Sequence, residues 1–333
     1  MSAKNIVIVG ATGAVGMEMI NCLHQLNFPV ERLRLVASER SVGKVVSTPF
    51  GDITIEAISE KIFEESDIAL FAVSGDFSKE WKDRVVASNC LLIDNSSAFR
   101  YDEDVPLIVP EVNAHEAKNH QGIIANPNCT TAIAAVVLYP LHKEFGLKKV
   151  IVSTYQATSG AGAEGMQELV EETQRVLDGE EAENHVFVHP IPFNLIPQID
   201  KFQDNFYTKE EMKVTWETQK IFNDNSIKIS CTAVRIPTLR AHSESIVIET
   251  EKPINRDDAM KILSQAPGVK LVDNPAHNVY PMPLNASTEF DVEVGRIRQN
   301  LVFGENGLEF FICGDQLLKG AALNAVQIAQ LFI

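Results

Sequence analysis

The chain opens with a strand, a glycine-rich turn and a helix, a combination that few folds accommodate. Asn5–Val9 is an apolar run that leads directly into Gly10–Gly16, and apolar side chains then recur at helical spacing from Val15 to Leu26. The pattern predicts the first unit of a doubly wound, Rossmann-type sheet, with the pyrophosphate of a dinucleotide at the helix N-terminus. A glycine pattern is a weak signal by itself, and a purely structural turn is the alternative.

Each glycine of this turn has a predicted task. Gly10 permits the tight turn, Gly13 lets the main chain approach the pyrophosphate, and Gly16 lets the helix pack against the strand. The cofactor-binding residues predicted in the turn are Gly10, Thr12, Gly13, Ala14, Val15 and Gly16.

The loop after the second predicted strand bears on the identity of the dinucleotide. NAD enzymes place an acid there for the ribose 2′-hydroxyl, whereas NADP enzymes place an arginine nearby for the 2′-phosphate. Ser38, Arg40 and Ser41 suit a phosphate, whereas Glu39 is the acid typical of NAD enzymes. The pattern favours NADP(H), provided that Glu39 points away from the cofactor. An ordinary solvated loop is the alternative.

Further apolar runs predict the rest of a parallel sheet, and polar residues follow several of them. Because ligands bind beyond the carboxyl ends of parallel strands, Ser74 and Asn95 are predicted to line the cofactor, although both are also ordinary turn formers. The predicted strands are Ile53–Ile58, Ile68–Val73, Leu91–Ile93 and Leu107–Val109.

Composition restricts the partners and the compartment. The 333 residues carry a net charge of −16, so the surface repels nucleic acid and anionic lipid. No apolar run approaches the roughly 20 residues of a membrane span. The five cysteines are scattered without a C-x-x-C pair, which fits a reducing cytoplasm and predicts neither disulfides nor a metal site. Met1–Lys4 lacks the features of a signal peptide, so we expect a cytoplasmic protein.

One cysteine has the surroundings of a nucleophile. Asn126–Thr131 is polar and precedes Ala132–Leu138, which is apolar on all sides as in a buried helix. Cys129 is therefore predicted at a helix N-terminus, where the helix dipole and free N–H groups favour a thiolate and suit an oxyanion. The other cysteines adjoin apolar runs and are predicted to be buried: Cys22, Cys90, Cys231 and Cys313.

Several segments, spread in order over essentially the whole chain, together resemble the aspartate-semialdehyde dehydrogenase family. They are Asn126–Thr131, Thr154–Gly162, Val234–Pro237, Arg240–Ser243, Val294–Arg298 and Lys319–Ala325. Because several independent motifs agree, the resemblance is far more specific than the glycine turn alone.

The resemblance implies a role for each matching residue. Cys129 resembles the nucleophile, Gln156 the amide that orients the acyl group, and His242 a general acid/base, which works best with a pKa near neutrality. Arg235 would bind the substrate carboxylate and Glu210 its amino group. The implied phosphate ligands are Arg100, Asn128 and Lys213, and the further cofactor residues are Ser159, Gly160, Gly162 and Asn324.

Local chemistry supports the placement of Glu210 and Lys213. Thr208 and Glu211 fit a capping box, which would occupy Glu211 and leave Glu210 and Lys213 three residues apart on one helix face. An ordinary surface ion pair is the alternative. Arg240 suits either a further ligand or a structural ion pair, and its role stays open.

The resemblance also implies a fold of the α/β class, like that of glyceraldehyde-phosphate dehydrogenase. A doubly wound NADP-binding domain is expected over residues 1–127, completed by a C-terminal helix over 314–333. An α+β catalytic and dimerisation domain is expected over residues 128–313. The assembly would be a homodimer or homotetramer, without nucleic acid or membrane as a partner. The proline-rich segment His189–Pro197 suits either the subunit interface or a buried core loop.

The implied reaction is the reductive dephosphorylation of L-aspartyl 4-phosphate to L-aspartate 4-semialdehyde. It would use NADPH and a thioester on Cys129, and it would belong to lysine, threonine and methionine biosynthesis. Glu39 and Asp76 depart from the family pattern and bear on the cofactor. The alternatives are a dehydrogenase for another acyl phosphate, such as N-acetylglutamyl phosphate, a non-catalytic NADP-binding redox sensor, and a cysteine hydrolase. Glu210 discriminates among substrates, because it suits one with a free amino group.

Overall fold

In the computed structural model, which describes residues 2–333, the chain forms two compact units. The first comprises the residues up to 128 together with 321–333, and the second comprises residues 129–320. The chain therefore passes from the first unit to the second between Asn128 and Cys129.

The first unit is built on a seven-stranded sheet. Its strands are β1 (Lys4–Val9), β2 (Val30–Val36), β3 (Val45–Thr48), β4 (Gly51–Glu56), β5 (Ile68–Phe71), β6 (Leu91–Asp94) and β7 (Ile123–Ala125). The strand order is β3-β4-β2-β1-β5-β6-β7, and every pair is parallel except the edge hairpin β3–β4. The helices of this unit are α1 (Ala14–Gln25), α2 (Glu60–Glu64), α3 (Gly75–Ala87), α4 (Pro110–Asn113) and the last helix of the chain, α10 (Leu323–Gln330).

The sheet is doubly wound, as predicted. Strands β5 and β6 are buried at every position, because a parallel sheet with helices on both faces leaves no solvent-facing side. The chain runs outward from β1 to β2 and then crosses back to β5 on the other side of β1. Ligands bind at such a reversal, beyond the carboxyl ends of the strands.

The predicted strand at Leu107–Val109 is wrong. Only an isolated bridge joins Leu107 to Ala125, and β7 forms the sheet edge instead. Proline flanks the run on both sides, and the backbone N–H of Val109 donates to the side chain of Asn113 at 2.9 Å rather than to a strand.

The second unit contains a six-stranded mixed sheet with the order β11-β12-β13-β10-β8-β9. The strands are β8 (Leu147–Gln156), β9 (Lys228–Arg235), β10 (His242–Thr250), β11 (Val269–Leu271), β12 (Val292–Gln299) and β13 (Gly307–Gly314). The helices are α5 (Cys129–Phe145), α6 (Gly162–Leu177), α7 (Lys209–Phe222), α8 (Arg256–Leu263) and α9 (Pro283–Ala286).

The two faces of this sheet differ. Burial alternates along β8 and the second half of β10, and helices α5, α7 and α8 contact the strands. Residues of the opposite face include Ile151 and Tyr155, which are 46% and 37% exposed. Around Ile151 and Tyr155 the unit therefore presents a partly apolar sheet face that α5, α7 and α8 leave uncovered.

The end of the chain differs from the single helix expected over residues 314–333. Gly314 ends strand β13, a π-helical turn covers Leu318–Ala322, and α10 follows. The carboxylate of Asp315 accepts the N–H groups of Leu317 and Leu318, so the helical conformation starts only after Asp315. Among residues 2–333, no helix combines the length and the apolar character needed to span a membrane.

Among the glycines of the first unit, we expect Gly10 to be the one whose replacement by alanine destabilises the fold most. It has φ +90°, and a Cβ there would lie 2.2 Å from the carbonyl oxygen of Ala72 at the end of β5. We expect Gly10→Ala to lower the free energy of unfolding by about 2–4 kcal/mol, through left-handed strain plus collision with main chain.

The matched control is Gly43→Ala, because Gly43 has φ +83° and no atom within 4 Å of its Cβ position. Only the left-handed strain remains there, so we expect a loss of about 1 kcal/mol. Urea unfolding of both variants measures the difference. Equal losses would show that the Ala72 contact is unimportant.

Candidate active site

The glycine turn leaves the start of α1 available to a ligand. Gly13 is the N-cap residue in an extended conformation, and no side chain caps the N–H groups of the first turn. Thr12 and Gly13 are exposed, and Ala14 and Val15 are half-buried. Gly16 is instead packed inward, since a Cβ there would lie 2.3 Å from the carbonyl oxygen of Gly10. These positions suit a phosphate bound by main-chain N–H groups.

A cleft of about 530 Å³ lies beside this turn, at the carboxyl ends of β1 and β2. Ser38, Glu39 and Ser74 line it, whereas Arg40 is exposed and does not. Ser41 is buried. Glu39 thus lines the cleft, although the NADP prediction requires it to point away.

Asparagine side chains join the polar ends of the strands in the first unit. The amide of Asn95 donates to the carbonyl oxygen of Phe71 at 2.7 Å, and its oxygen accepts from Asn126 at 2.9 Å. Asn324 is fully buried, and its amide donates to the Asn126 side-chain oxygen at 2.6 Å and to the carbonyl of Ile108 at 2.9 Å. Asn95 and Asn324 thus have structural partners, and their contact with a cofactor stays a prediction.

Arg100 is buried and is oriented by main-chain carbonyls. Its Nε donates to the carbonyl oxygen of Asn126 at 2.9 Å, and its Nη2 donates to that of Asn95 at 2.8 Å. Asn128, the second predicted phosphate ligand, is also buried and immediately precedes Cys129. Because an arginine guanidinium is always protonated in proteins, Arg100 contributes a buried positive charge to the first unit.

Cys129 is the first residue of α5, as predicted, and it is half-buried. The other four cysteines are buried, also as predicted. The main chain of Gly320 lies against Cys129, because a Cβ on Gly320 would be 2.6 Å from the Cβ of Cys129. The cysteine is therefore confined on one side by main chain and lies in the first turn of α5, at the positive end of the helix dipole.

Gln156 ends β8 and begins a chain of buried polar contacts. Its oxygen accepts from the hydroxyl of Thr154 at 3.0 Å, and its amide donates to Glu210 at 3.2 Å. The second oxygen of Glu210 accepts from Lys213 at 3.0 Å, and Lys213 also donates to Asp200 at 3.0 Å. Gln156, Glu210 and Lys213 are thus brought together.

The helix that carries Glu210 begins as the sequence predicts. Both bonds of the capping box are present, with the Thr208 N–H 2.7 Å from a Glu211 oxygen and the Glu211 N–H 3.3 Å from the Thr208 hydroxyl. Burial lowers the pKa of Lys213, but its attraction to Glu210 and Asp200 outweighs burial and leaves the pKa raised. Lys213 therefore stays protonated and holds Glu210 as a carboxylate partner.

Arg235 ends β9, directly opposite Gln156 in the sheet register. Its Nη1 donates to the carbonyl oxygen of Ala157 at 2.6 Å, and its guanidinium carbon lies 5.8 Å from the centroid of the Phe187 ring. Burial lowers its pKa, while the charges of Glu210 and Cys129 oppose that shift. Arg235 is thus a buried cation close enough to Cys129 to interact with it electrostatically.

His242 begins β10 and is completely buried. The backbone N–H of Ala157 donates to its Nδ1 at 3.1 Å, which places the imidazole proton on Nε2. Within residues 2–333, the Nε2 atom has no hydrogen-bond partner. Burial, reinforced by the charge of Arg235, lowers the pKa of His242 to about 3. This pKa lies below the near-neutral value that suits a general acid/base, so the imidazole is a neutral N–H donor.

The turn after β8 contains the remaining predicted residues. The hydroxyl of Ser159 is hydrogen-bonded to the side-chain amide of Gln316. A Cβ on Gly160 would lie 2.8 Å from Nη1 of Arg235 and 3.3 Å from Nε2 of His242, so a side chain at this position would displace Arg235. Gly162 has open space around it and begins α6. Their contact with a cofactor stays a prediction.

Sequence reasoning missed three residues that organise these contacts. Asp200 pairs with Lys213, Thr154 bonds Gln156, and Asp315 accepts from Nε of Arg240 at 2.5 Å. For Asp315 a signal existed, since it directly follows the apolar strand β13 at the polar end of the sheet. For Asp200 no such signal exists in the sequence, because thirteen residues separate it from its partner Lys213.

The cluster of the second unit combines a thiol at a helix N-terminus, a buried guanidinium, a carboxylate–lysine pair and a neutral imidazole donor. Such a set suits covalent catalysis on a small substrate that carries both a carboxylate and an ammonium group. Among residues 2–333, no group of three or more His, Cys, Asp and Glu is arranged to hold a metal ion.

The chain is similar over its whole length to proteins of one kind. Residues 5–120 match the family described as semialdehyde dehydrogenase, NAD binding domain, and residues 138–319 match its dimerisation domain. The aspartate-semialdehyde dehydrogenase of Aquifex aeolicus is 48% identical over 98% of this chain and 97% of its own, and that of Bacillus subtilis is 46% identical over 98% and 96%. The crystal structure of aspartate semialdehyde dehydrogenase II from Vibrio cholerae, complexed with ASA, has a TM-score of 0.96 at 41% identity, covering 100% of this chain and 98% of that one.

Burial of a neutral His242 predicts a stability that falls with acid. The unfolded imidazole takes up a proton below pH 6.5, whereas the folded one resists protonation down to about pH 3. The contribution of the neutral His242 to the free energy of unfolding is therefore fully present above pH 6.5 and is lost as the pH falls towards 3. Between pH 7 and 5 we expect the wild-type protein to lose about 2 kcal/mol more unfolding free energy than His242→Gln. Urea unfolding at several pH values measures both, and parallel pH profiles would refute the prediction.

Proposed function

This chain belongs to the aspartate-semialdehyde dehydrogenase family, and from that premise we propose that it reduces L-aspartyl 4-phosphate to L-aspartate 4-semialdehyde with NADPH and releases phosphate. The observation that carries the proposal is the cluster in the second unit. Cys129 starts α5, Arg235 interacts with it electrostatically, and Gln156, Glu210 and His242 are buried around Arg235.

The charges of the cluster match those of the substrate. Arg235 supplies a buried guanidinium for the α-carboxylate, a pairing that allows two parallel hydrogen bonds. Glu210 supplies a carboxylate for the α-ammonium group, and Gln156 is bonded to Glu210 and orients the acyl group. Arg100, Asn128 and Lys213 are the proposed phosphate ligands. An acidic protein needs such local cations to bind an anionic substrate.

The first chemical step makes a thioester. The thiolate of Cys129 attacks the acyl carbon, the C–O bond to phosphate breaks, and the phosphate leaves with that electron pair. Sulfur is strongly nucleophilic, and the thioester carbonyl remains electrophilic enough to accept hydride. The positive end of the α5 dipole stabilises the oxyanion that forms during attack.

The second step uses the hydride that NADPH supplies. Hydride adds to the thioester carbon, and the resulting oxyanion collapses to the aldehyde as the C–S bond breaks and the thiolate returns. These two events need no proton from the protein. His242 therefore acts as a hydrogen-bond donor from Nε2 to the oxyanion, rather than as the proton donor expected from the sequence.

The cofactor residues proposed from the sequence lie in both units. The uncapped start of α1 fits a pyrophosphate, and the cleft beside it has room for a nucleoside. We assign cofactor binding to the first unit and catalysis with dimerisation to the second, in agreement with the two family descriptions. Arg40 is the proposed ligand of the 2′-phosphate, with Glu39 opposing it.

The assembly is proposed to be a homodimer, with a homotetramer as the larger alternative. The uncovered sheet face with Ile151 and Tyr155 supports an interface there. In the segment His189–Pro197, Ile191 and Ile196 are buried, whereas Phe193 and Leu195 are 71% and 58% exposed. That segment thus combines a core contact with an exposed apolar edge. A cytoplasmic location agrees with the absence of disulfides among the five cysteines of the described chain.

Another acyl phosphate, of the N-acetylglutamyl phosphate type, is the closest competing substrate. An acylated nitrogen carries no positive charge, so it would leave the carboxylate of Glu210 without a cationic ligand. A cysteine hydrolase or a redox sensor would need neither Arg235 nor the Glu210–Lys213 pair. The charge pattern thus favours the substrate with a free ammonium group.

The cysteine and the glutamate provide the central test. With aspartate semialdehyde, phosphate and NADP+, absorbance at the NADPH band should rise with wild-type protein and not with Cys129→Ala. Glu210→Gln should raise the KM for aspartate semialdehyde roughly tenfold or more, because a charged hydrogen bond contributes about 1.5–3 kcal/mol. Cys90→Ala is the control for cysteine loss, since Cys90 is buried in the first unit. An unchanged KM in Glu210→Gln would redirect the assignment to another substrate.

The cofactor preference is tested at two adjacent residues. We expect Arg40→Ala to raise the KM for NADP+ about tenfold through loss of a contact with the 2′-phosphate. Glu39→Gln should lower that KM severalfold, because a carboxylate lining the cleft repels the phosphate. The KM for NAD+, which lacks the phosphate, is the internal reference for Arg40→Ala. Equal effects on both cofactors would argue against a 2′-phosphate site.

A further inference from the structure

His242 is preceded by a residue in a strained conformation. Ala241 has φ +68°, in the left-handed region that alanine rarely adopts, and it is completely buried. This conformation is unfavourable for a residue with a Cβ, so it persists only where neighbouring contacts hold it. Because His242 follows immediately, the direction of its side chain depends on these contacts.

The contacts come from the residues just after β13. The N–H of Ala241 donates to the side-chain oxygen of Gln316 at 2.8 Å. The guanidinium Nε of Arg240 donates to Oδ2 of Asp315 at 2.5 Å. Arg240 and Ala241, the two residues before His242, are thus hydrogen-bonded to the side chains of Asp315 and Gln316 respectively.

Asp315 is itself firmly fixed. Its side chain is completely buried, Oδ2 also accepts the N–H of Thr288 at 2.7 Å, and Oδ1 accepts the N–H groups of Leu317 and Leu318 at 2.9 and 3.2 Å. A carboxylate with three main-chain donors and a guanidinium has little freedom to move. It therefore holds Arg240 in one place.

The same aspartate is linked to the nucleophile. The N–H of Gly320 donates to the main-chain oxygen of Asp315 at 3.2 Å. Gly320 in turn lies against Cys129, with only 2.6 Å between its Cβ position and the Cβ of the cysteine. Residues 315–320 thus connect the start of β10, with its histidine, to the start of α5, with its cysteine.

We infer that Asp315 and Arg240 form a positioning pair that sets the imidazole of His242 relative to the sulfur of Cys129. Neither residue needs to touch the substrate for this role. The inference rests on the proposed function for its effect on turnover, but its structural part does not. It also assigns Arg240 as a structural partner rather than a substrate ligand.

Two variants disrupt the pair in different ways. Asp315→Asn keeps the size of the side chain and removes its charge, and Arg240→Lys keeps the charge but removes the planar guanidinium that bonds Asp315. If one variant fails to fold, the other still tests the pair. We expect each to lower kcat for aspartate semialdehyde oxidation about 10- to 100-fold, because catalytic misplacement of about 1 Å has effects of that order. KM should stay within about threefold.

A spectroscopic readout separates positioning from binding. In wild-type protein labelled with 15N-histidine, the His242 nitrogens, assigned with His242→Gln, should show the single tautomer with the proton on Nε2 that the Ala157 N–H imposes. In both variants we expect mixed tautomers, because the ring is no longer held against Ala157.

The matched control is Asp273→Asn. Asp273 has a buried side chain that accepts from Arg256 at 3.1 Å and from the N–H groups of Arg296 and Ile297 at 3.0 and 3.2 Å, and Arg296 has φ +55°. It therefore repeats the construction of the Asp315 pair at another place. Asp273→Asn should lose comparable stability in urea yet keep kcat and the single His242 tautomer.

The possible outcomes distinguish failure of the positioning inference from failure of the proposed function. A large rise in KM with unchanged kcat in Arg240→Lys would identify Arg240 as a substrate ligand and overturn the inference. A single, unchanged His242 tautomer in both variants would overturn it whatever happens to turnover. If wild-type protein does not turn over aspartate semialdehyde, the proposed function fails, while the tautomer measurement still decides whether the pair positions His242.

Discussion

The main chain of one residue, Ala157, holds the charged centre of the second unit together. The N–H of Ala157 donates to Nδ1 of His242, and the carbonyl oxygen of the same residue accepts from Nη1 of Arg235. A main-chain donor against Nδ1 excludes a proton there, and the adjacent guanidinium disfavours a second positive charge. The imidazole is therefore neutral and the guanidinium is charged. Both groups lie at the carboxyl end of β8, which pairs with β9 and β10 on its two sides. The proposed oxyanion chemistry depends on this division of charge.

Burial strengthens the electrostatic interactions of these groups, and it also makes any polar atom left without a partner strongly destabilising. Gln156, Glu210 and Arg235 are almost inaccessible to solvent, so each polar atom needs a partner within the protein or the substrate. The Nε2 of His242 is a buried donor with no hydrogen-bond partner in the described chain, and a substrate oxygen would supply that partner. Gly160 allows the close approach of Arg235 and His242, because any side chain there would occupy the space between them.

Local sequence patterns predicted the elements that depend on neighbouring residues. The start of α1, the start of α5 at Cys129 and the capping box of Thr208 and Glu211 were all correct, because capping and helix periodicity involve residues within one or two turns. The prediction of a strand at Leu107–Val109 was wrong, because this apolar run, flanked by prolines, pairs with Ala125 only through a single bridge. The single C-terminal helix was wrong as well, because the side chain of Asp315 delays its start.

The sequence by itself determined the doubly wound sheet, the cysteine at a helix start and, through the family motifs, the enzyme family. These features depend on residue type and on the spacing of residues close together in the chain, and such local patterns determine helices, strands and turns directly. Only the tertiary structure decided the protonation of His242, the pairing of Arg240 with Asp315 and the orientation of Glu39 towards a cleft. Each of these depends on burial or on contacts between residues far apart in the chain. Electrostatic free energies change severalfold between water and a protein interior, so residue identity alone does not specify them.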